Sequence, residues 1–373
     1  ANINVTAIAQ GCSEYNLTVV VDQSNAVKAL RAAHARFYLS ETPIAIAVIG
    51  PGLIGATLLD QMAAQMESLN SAYNIELRVL GVASSRFMHM GSCRPGWDGP
   101  SSCGLDLKNW REEYENDKEA FDLDAFEANL LESAIPNMAI IDCTASDQVA
   151  GWYERFMSKG IHVITPNKKA NSGDIEYFKR LRDIGRKTYT HFFYEATVGA
   201  GLPIISTLRS LVNNGDGIHK IEGIFSGTLS YIFNEFDGSA PFSDTVKVAK
   251  ELGFTEPDPR DDLSGTDVAR KVTILAREAG LQLELKDIPV QSLVPEPLQS
   301  VESADEYMER LPEFDSDMAK LAVRTMIVQG GLEPPCCADS LSRRGQCPSC
   351  AVLDGSAEAF LWNRGVPVEC RAC

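Results

Sequence analysis

Ile44-Ala-Ile-Ala-Val-Ile49, followed directly by Gly50-Pro51-Gly52-Leu53-Ile54-Gly55, is the stretch on which the fold turns. Six consecutive apolar residues leave no polar face, as in a strand covered on both sides. After the glycines, the pattern from Leu53 to about Leu69 reads as a helix. Strand, glycine turn and helix in that order suit a dinucleotide-binding βα unit. Glycine lets the backbone approach a pyrophosphate, and the helix N-terminus offers unpaired N–H groups. The motif alone also fits an ordinary tight turn; its place at the head of an alternating series favours the nucleotide. Thr42 to Leu59 is 18 residues without a charge, a marginal membrane-spanning length. Pro51 between two glycines breaks that run, so a strand and a helix are expected instead.

Working outward, strands are expected at 75–83, 138–142 and 162–165, with helices at 122–131 and 149–157. The alternation predicts an α/β fold, a Rossmann-type parallel sheet with right-handed crossovers, over residues 41–170. Residues 87–120, with Gly, Pro, Ser and Trp, read as an irregular surface insertion. From 171 to 330 the texture changes. Helical patterns at 175–184, 203–212, 229–236, 246–252 and 268–279, with strands at 192–194 and 218–225, predict an α+β domain. Residues 1–40 give two apolar runs and a helical face of Val27, Leu30, Ala33 and Phe37, too little to stand alone. Ala1, without an initiator Met or a leader, reads as the interior of a longer chain.

The 373 residues carry 34 Lys+Arg against 51 Asp+Glu, a net charge of −17, which argues against nucleic-acid and anionic-membrane partners. The 45% hydrophobic and 23% charged content is that of a globular protein rather than a disordered one. Cys12, Cys93, Cys103 and Cys143 are scattered through the main body, which reads as intracellular with reduced thiols. The other six cysteines crowd into a tail at 331–373. There Cys347/Cys350 and Cys370/Cys373 have zinc-knuckle spacing without apolar periodicity. The tail reads either as a zinc site or as extraneous sequence whose removal costs no stability. The five histidines form no metal-ligand spacing.

Candidate site residues cluster at strand ends. Ala83-Ser84-Ser85-Arg86 places hydroxyls and an arginine where a ribose-binding carboxylate would stand, which suits a 2′-phosphate and so NADPH, with NADH as the alternative. The plainer reading makes Arg86 an exposed charge. Thr144, after Asp142 and Cys143, lies at a ligand-facing strand end; Cys143 reads as inert filling. Lys168 follows the next strand and can reach the cleft, or is a solvated loop charge. Residues 255–271 hold Glu256, Asp258, Asp261 and Asp262 in a proline-stiffened loop suited to an ammonium group. Ser264 and Asp267 resemble a capping pair. Asp267 and Lys271 share a helix face, as an acid–base pair or a surface salt bridge. Glu195 opens a glycine-rich turn whose carbonyls suit a hard cation, or which is simply close-packed.

Taken together, the glycine turn with TPNKKAN (165–171), ATVGAGLP (196–203), FSGTLSYIFNEF (225–236) and TEPDPRDDLSGTDVARK (255–271) resembles the homoserine dehydrogenases, from about residue 43 to about 328. Residues 1–40 resemble the end of an ACT regulatory module. The whole arrangement is similar to the bifunctional aspartokinase–homoserine dehydrogenases. The resemblance implies a nucleotide-binding domain, an α+β catalytic and dimerisation domain, and an ACT remnant before them. It implies reduction of L-aspartate 4-semialdehyde to L-homoserine, on the route to threonine and methionine, in the cytoplasm or a plastid, by a homodimer or higher homo-oligomer. It puts Gly50, Gly52, Leu53, Ile54, Gly55, Arg86, Thr144 and Lys168 at the cofactor, and Lys271, Asp267 and Lys168 at the chemistry. Glu256, Asp261 and Lys271 would hold the substrate. Glu195, Val198, Ala200 and Leu202 would hold a sodium ion. The Cys-rich tail departs from the family, which continues with more second-domain strand and a segment returning to the nucleotide domain. Two other readings stay open: a dehydrogenase acting on another amino-acid aldehyde, and an inactive or allosteric fragment with a zinc-binding tail.

Overall fold

The computed structural model describes residues 3–11, 16–38, 42–91, 104–133, 135–236, 239–255, 258–288, 290, 292–320, 350–354 and 359–361. Glu256, Cys12, Cys93, Cys103, Cys347, Cys370 and Cys373 lie outside the described residues. Two compact units emerge: Ala1–Ala170 with Lys179–Tyr194, and Asn171–Phe178 with Glu195–Cys373.

The first unit opens with β1 (Val5–Gln10) and β2 (Leu17–Val21), an antiparallel hairpin, and the helix Ala26–Tyr38. Its main sheet holds β3 (Thr42–Ile49), β4 (Ile75–Ala83), β5 (Phe87–Met90), β6 (Glu119–Ala120), β7 (Asn137–Asp142), β8 (His162–Ile164) and β9 (Phe192–Phe193). The strand order is β6-β5-β4-β3-β7-β8-β9. β4, β3, β7, β8 and β9 run parallel, and β5 and β6 add antiparallel at one edge. Ala45 to Ile49 are all buried, as a doubly covered central strand requires. Strand order reverses at β3, so the crevice beyond its carboxyl end, between the loops after β3 and β7, is the ligand position of such sheets. The run Thr42–Leu59 is therefore a strand and part of the helix Leu53–Tyr73. Among the described residues, no helix is long and apolar enough to cross a membrane.

The insertion is less irregular than expected. Within 87–120 lie β5, β6 and the helix Trp110–Asp117, and Leu107, Trp110 and Tyr114 pack into the core with Leu59, Met62 and Val79. The expected helix at 149–157 divides into Asp147–Ala150 and Tyr153–Ser158. The domain boundary is also not a single cut at 170. Phe192 and Phe193 pair in parallel with Val163 and Ile164, so that strand belongs to the first sheet.

In the second unit, the helix Thr266–Glu278 buries Val268, Ala269, Val272, Ile274, Leu275 and Ala276. It lies against the helix Ile204–Asn213 and against two strands of a three-stranded antiparallel sheet. That sheet is β10 (Lys220–Ile224), β11 (Cys350–Asp354) and β12 (Ala359–Leu361). β11 and β12 come from the Cys-rich tail, and all five residues of β10 pair with β11. The tail thus contributes backbone to this unit, against the expectation that it is extraneous. Deleting residues 331–373 would remove the strand that β10 pairs with among the described residues. The truncated chain is expected to melt lower, by about 2–4 °C for each kcal/mol lost. An unchanged midpoint in a thermal melt would count against this sheet.

Candidate active site

In the first unit, the loop after β3 is shaped by three glycines with different reasons. Gly50 has φ +93°, and a Cβ on it would meet Thr144 Cγ2 at 2.7 Å. A Cβ on Gly55 would lie 2.1 Å from the Gly50 carbonyl oxygen. Gly52 is different: its φ is −76°, and a Cβ would meet nothing within 4 Å. The fold itself does not require glycine there, but a cofactor lying over the turn does. The helix Leu53–Tyr73 has no side-chain N-cap, and Leu53 (84% exposed) and Ile54 (61%) face outward at its start. Uncapped N–H groups at the positive end of a helix dipole, beside an open cradle, fit a diphosphate.

At the end of β4, Ser84 does not offer its hydroxyl outward. Its Oγ accepts from the Phe87 N–H at 3.0 Å and the Arg86 N–H at 3.3 Å, closing the turn into β5. Arg86 is exposed, with its guanidinium 5.9 Å from the Phe87 ring centre. On the same ring, 5.2 Å away, sits the Lys118 ammonium. Lys118 was not foreseen from the sequence, because the insertion separates it from β4 and nothing near it has a motif.

The loops after β7 and β8 meet through a buried carboxylate. Asp142 Oδ1 accepts from the Thr144 N–H at 2.8 Å, and Asp142 Oδ2 accepts from Asn167 Nδ2 at 3.0 Å and from the Tyr153 hydroxyl. Thr144 in turn accepts from the Ser146 N–H at 3.1 Å. Lys168 is partly buried, and its neighbour Lys169 pairs with Asp147 at 3.0 Å. Cys143 lies beneath the glycine turn, and burial first, then the Asp142 charge, pushes its thiol up to about 11.

In the second unit, the carboxylate-rich loop resolves into separate roles. Asp258 is held by Arg260, whose hydrogen bonds depress the carboxyl below its usual range. Asp262 is buried and accepts from the Thr228 hydroxyl at 3.0 Å. Asp261 is exposed. The expected capping pair does not form. The N-cap is Gly265 with φ +75°, Ser264 Oγ accepts the Thr266 N–H at 3.2 Å, and Asp267 reaches Lys271 instead. Lys271 Nζ lies 2.7 Å from Asp267 and donates to the Phe225 carbonyl at 2.6 Å.

A different face of that helix is anchored by Arg277, which no sequence motif marks. It donates to the carbonyls of Leu283 (3.0 Å), Asn171 (2.7 Å) and Gly173 (2.7 Å), and pairs with Glu284. Burial pulls its guanidinium below the usual arginine range. Glu195 accepts the N–H groups of Ile205 (2.7 Å) and Ser206 (2.9 Å), so its carboxylate caps the helix Ile204–Asn213. In the turn that Glu195 opens, Gly199 and Ala200 both take positive φ. Among the described residues, no group of three or more His, Cys, Asp or Glu could hold a metal ion.

Comparison with known proteins bears on both units. A family model described as homoserine dehydrogenase matches residues 203–329, and one described as homoserine dehydrogenase, NAD binding domain, matches residues 50–195. An ACT domain model matches residues 1–37. The chain is 56% identical over 347 residues to the chloroplastic bifunctional aspartokinase/homoserine dehydrogenase 1 of Zea mays, covering 93% of this chain and 37% of that protein. It is 44% identical over 288 residues to the homoserine dehydrogenase of Saccharomyces cerevisiae, covering 76% of each. A solved structure of a Candida auris protein of unknown function aligns with a TM-score of 0.67 at 33% identity, over 87% of this chain and 83% of that one. The chain thus spans little more than a third of the length of the bifunctional relatives it matches.

The raised thiol at Cys143 gives a direct test of the geometry under the glycine turn. The thiolate is the reactive form, so alkylation of the peptide containing Cys143 should be slow at pH 8 and climb only as pH approaches about 11. Peptide-level mass spectrometry after iodoacetamide reads this site apart from the other cysteines. Rapid labelling near neutral pH would contradict the raised thiol and the partly buried placement.

Proposed function

We propose that this chain, which belongs to the homoserine dehydrogenase family, reduces L-aspartate 4-semialdehyde to L-homoserine with NADPH, NADH serving as the alternative cofactor. The observation that carries the reading is the identity to the yeast enzyme over 76% of both chains, with the Asp267–Lys271 pair held on its helix. The cradle at Gly52 and the uncapped helix at Leu53 fit the cofactor's diphosphate, with Gly50, Ile54 and Gly55 shaping the turn. When bound, the nicotinamide supplies the hydride. Arg86, exposed at the end of β4, suits the 2′-phosphate that distinguishes NADPH from NADH; Lys118, which meets the same Phe87 ring, is paired with Glu115. Thr144 and Lys168 stand at the strand ends where the nicotinamide would lie.

Lys271 donates the proton that the reduced carbonyl oxygen needs. An ammonium has three N–H donors; Asp267 and the Phe225 carbonyl take two, which fixes the direction of the third. Lys168 is the alternative donor. Asp261, exposed on its loop, and Glu256 bind the substrate ammonium. A sodium ion would be held by the carbonyls of Glu195, Val198, Ala200 and Leu202, with the Glu195 carboxylate fixing the turn rather than the ion. The likeness to the maize protein supports a native chain that also carries an aspartokinase half and works in a plastid, as a homodimer or larger homo-oligomer on the route to threonine and methionine.

Two outcomes test this. Lys271→Ala should lower turnover by about 10²–10⁴-fold while NADPH binding changes little. Lys168→Ala measured alongside identifies the donor, and near-normal turnover without Lys271 would return its pair with Asp267 to a plain helix salt bridge. Separately, Arg86→Asp should weaken NADPH use far more than NADH use. Equal steady-state kinetics with both cofactors, before and after the change, would remove the case for the 2′-phosphate.

A further inference from the structure

The Asp142 carboxylate is fully buried, yet its three donors (the Thr144 N–H, the Tyr153 hydroxyl and Asn167 Nδ2) are all neutral. Burying a charge this way is costly, and an apolar cluster would stabilise a core as well or better. What the carboxylate adds is direction, because each donor comes from a different segment. Thr144 belongs to the loop after β7, Asn167 to the loop after β8, and Tyr153 to the helix between them.

Asn167 carries the constraint onward. Its Nδ2 also donates to the Ser146 carbonyl at 3.0 Å, its N–H donates to Thr165 Oγ1 at 2.8 Å, and its Oδ1 accepts the Lys169 N–H at 3.0 Å. The Thr165 hydroxyl donates to the Asp142 carbonyl at 2.8 Å, closing the circuit. The backbone is thus pinned on both sides of Lys168, and by the same carboxylate that fixes the N–H of Thr144. Parallel strands share no ladder bonds beyond their ends, so these side chains do there what the sheet no longer does.

We propose that Asp142, Tyr153 and Asn167 are positioning residues, a buried hub that sets the Thr144 and Lys168 loops together for the nicotinamide end of the cofactor. The inference rests on the dehydrogenase reading above for what those loops face. It differs from a merely structural role in one respect: the adenine end of the cofactor should not feel the hub.

Tyr153→Phe removes one oxygen and keeps the ring that packs 5.5 Å from Phe192. On the full chain, three quantities are measured: affinity for NADPH, affinity for 2′-phospho-ADP-ribose, which lacks the nicotinamide, and steady-state kinetics with aspartate semialdehyde. A misplaced loop predicts a kcat lower by about 10–100-fold with KM for the semialdehyde little changed. NADPH binding should weaken while the fragment binds as before. Adding Asn167→Ala should give less than the sum of the single effects, because both act through Asp142. Equal weakening of both ligands would make the hub a stability device and overturn the proposal, as would unchanged kcat and NADPH affinity in a folded variant. Selective loss of NADPH affinity in a chain that never reduces the semialdehyde would sink the substrate reading and leave the hub standing. Failure of the parent chain to bind either ligand would sink the nucleotide reading and this proposal with it.

Discussion

At the end of β3, two pieces of backbone approach so closely that no side chain fits between them. Gly55 sits against the Gly50 carbonyl, and Gly50 sits against Thr144. That contact fixes where the helix Leu53–Tyr73 starts and how its uncapped N–H groups face. It also brings the loop after β7 under the loop after β3, which is why Cys143 is partly buried there and its thiol is pushed up. Any Cβ at Gly50 or Gly55 would push these loops apart. At Gly52 a Cβ would cost the fold nothing and would occupy only the cradle. The three glycines of one motif therefore answer to three different constraints, and only one of them points to a ligand.

The second unit solves a similar problem with a buried cation. Arg277 is held by three carbonyls and Glu284, so the rotation of the helix Thr266–Glu278 about its own axis is set from one side. Lys271 leaves from a different face of the same helix toward the Phe225 carbonyl. Breaking a buried, fully hydrogen-bonded charge is expensive because the partner groups remain without it. An anchor of this kind fixes the helix from which Lys271 extends.

Much of the first sheet was legible in the sequence. β3 from Ile44 and β4 from Val79 are apolar runs, and the burial of both faces there leaves that signature directly. The insertion reads as irregular because its core residues, Leu107, Trp110 and Tyr114, stand among charges and no apolar period marks them. β9 was assigned to the wrong domain because two residues carry no information about which sheet will take them. At the head of the helix Thr266–Glu278, the Ser264/Asp267 spacing has the form of a capping box. A glycine in the left-handed region takes the cap position, and Asp267 is drawn to Lys271. Asp142 read as one residue of a ligand-facing strand end. Only the packing of Tyr153 and Asn167 onto it shows a buried hub, and that is a long-range fact no local pattern encodes.

The pair Asp267–Lys271 is where spacing alone leaves two readings, and burial sets it apart from the surface pairs at similar spacing. Other pairs at helical spacing, such as Asp183–Arg186 and Asp317–Lys320, have side chains at least 60% exposed. Such pairs contribute little, because water competes for both charges. The side chains of Asp267 and Lys271 are only 21% and 17% exposed, and the ammonium is also held by a main-chain carbonyl. Desolvating a lysine this far is a poor way to gain stability when a longer reach into water was available to it. With two acceptors on one ammonium, the direction of its remaining N–H is fixed. The same reasoning separates the neighbouring lysines of the first unit. Lys169 is paired with Asp147 on the surface, whereas Lys168 stands between two anchored backbone positions. Lys168 and Lys169 are both partly buried, and the restraint on Lys168 comes through the backbone on either side of it.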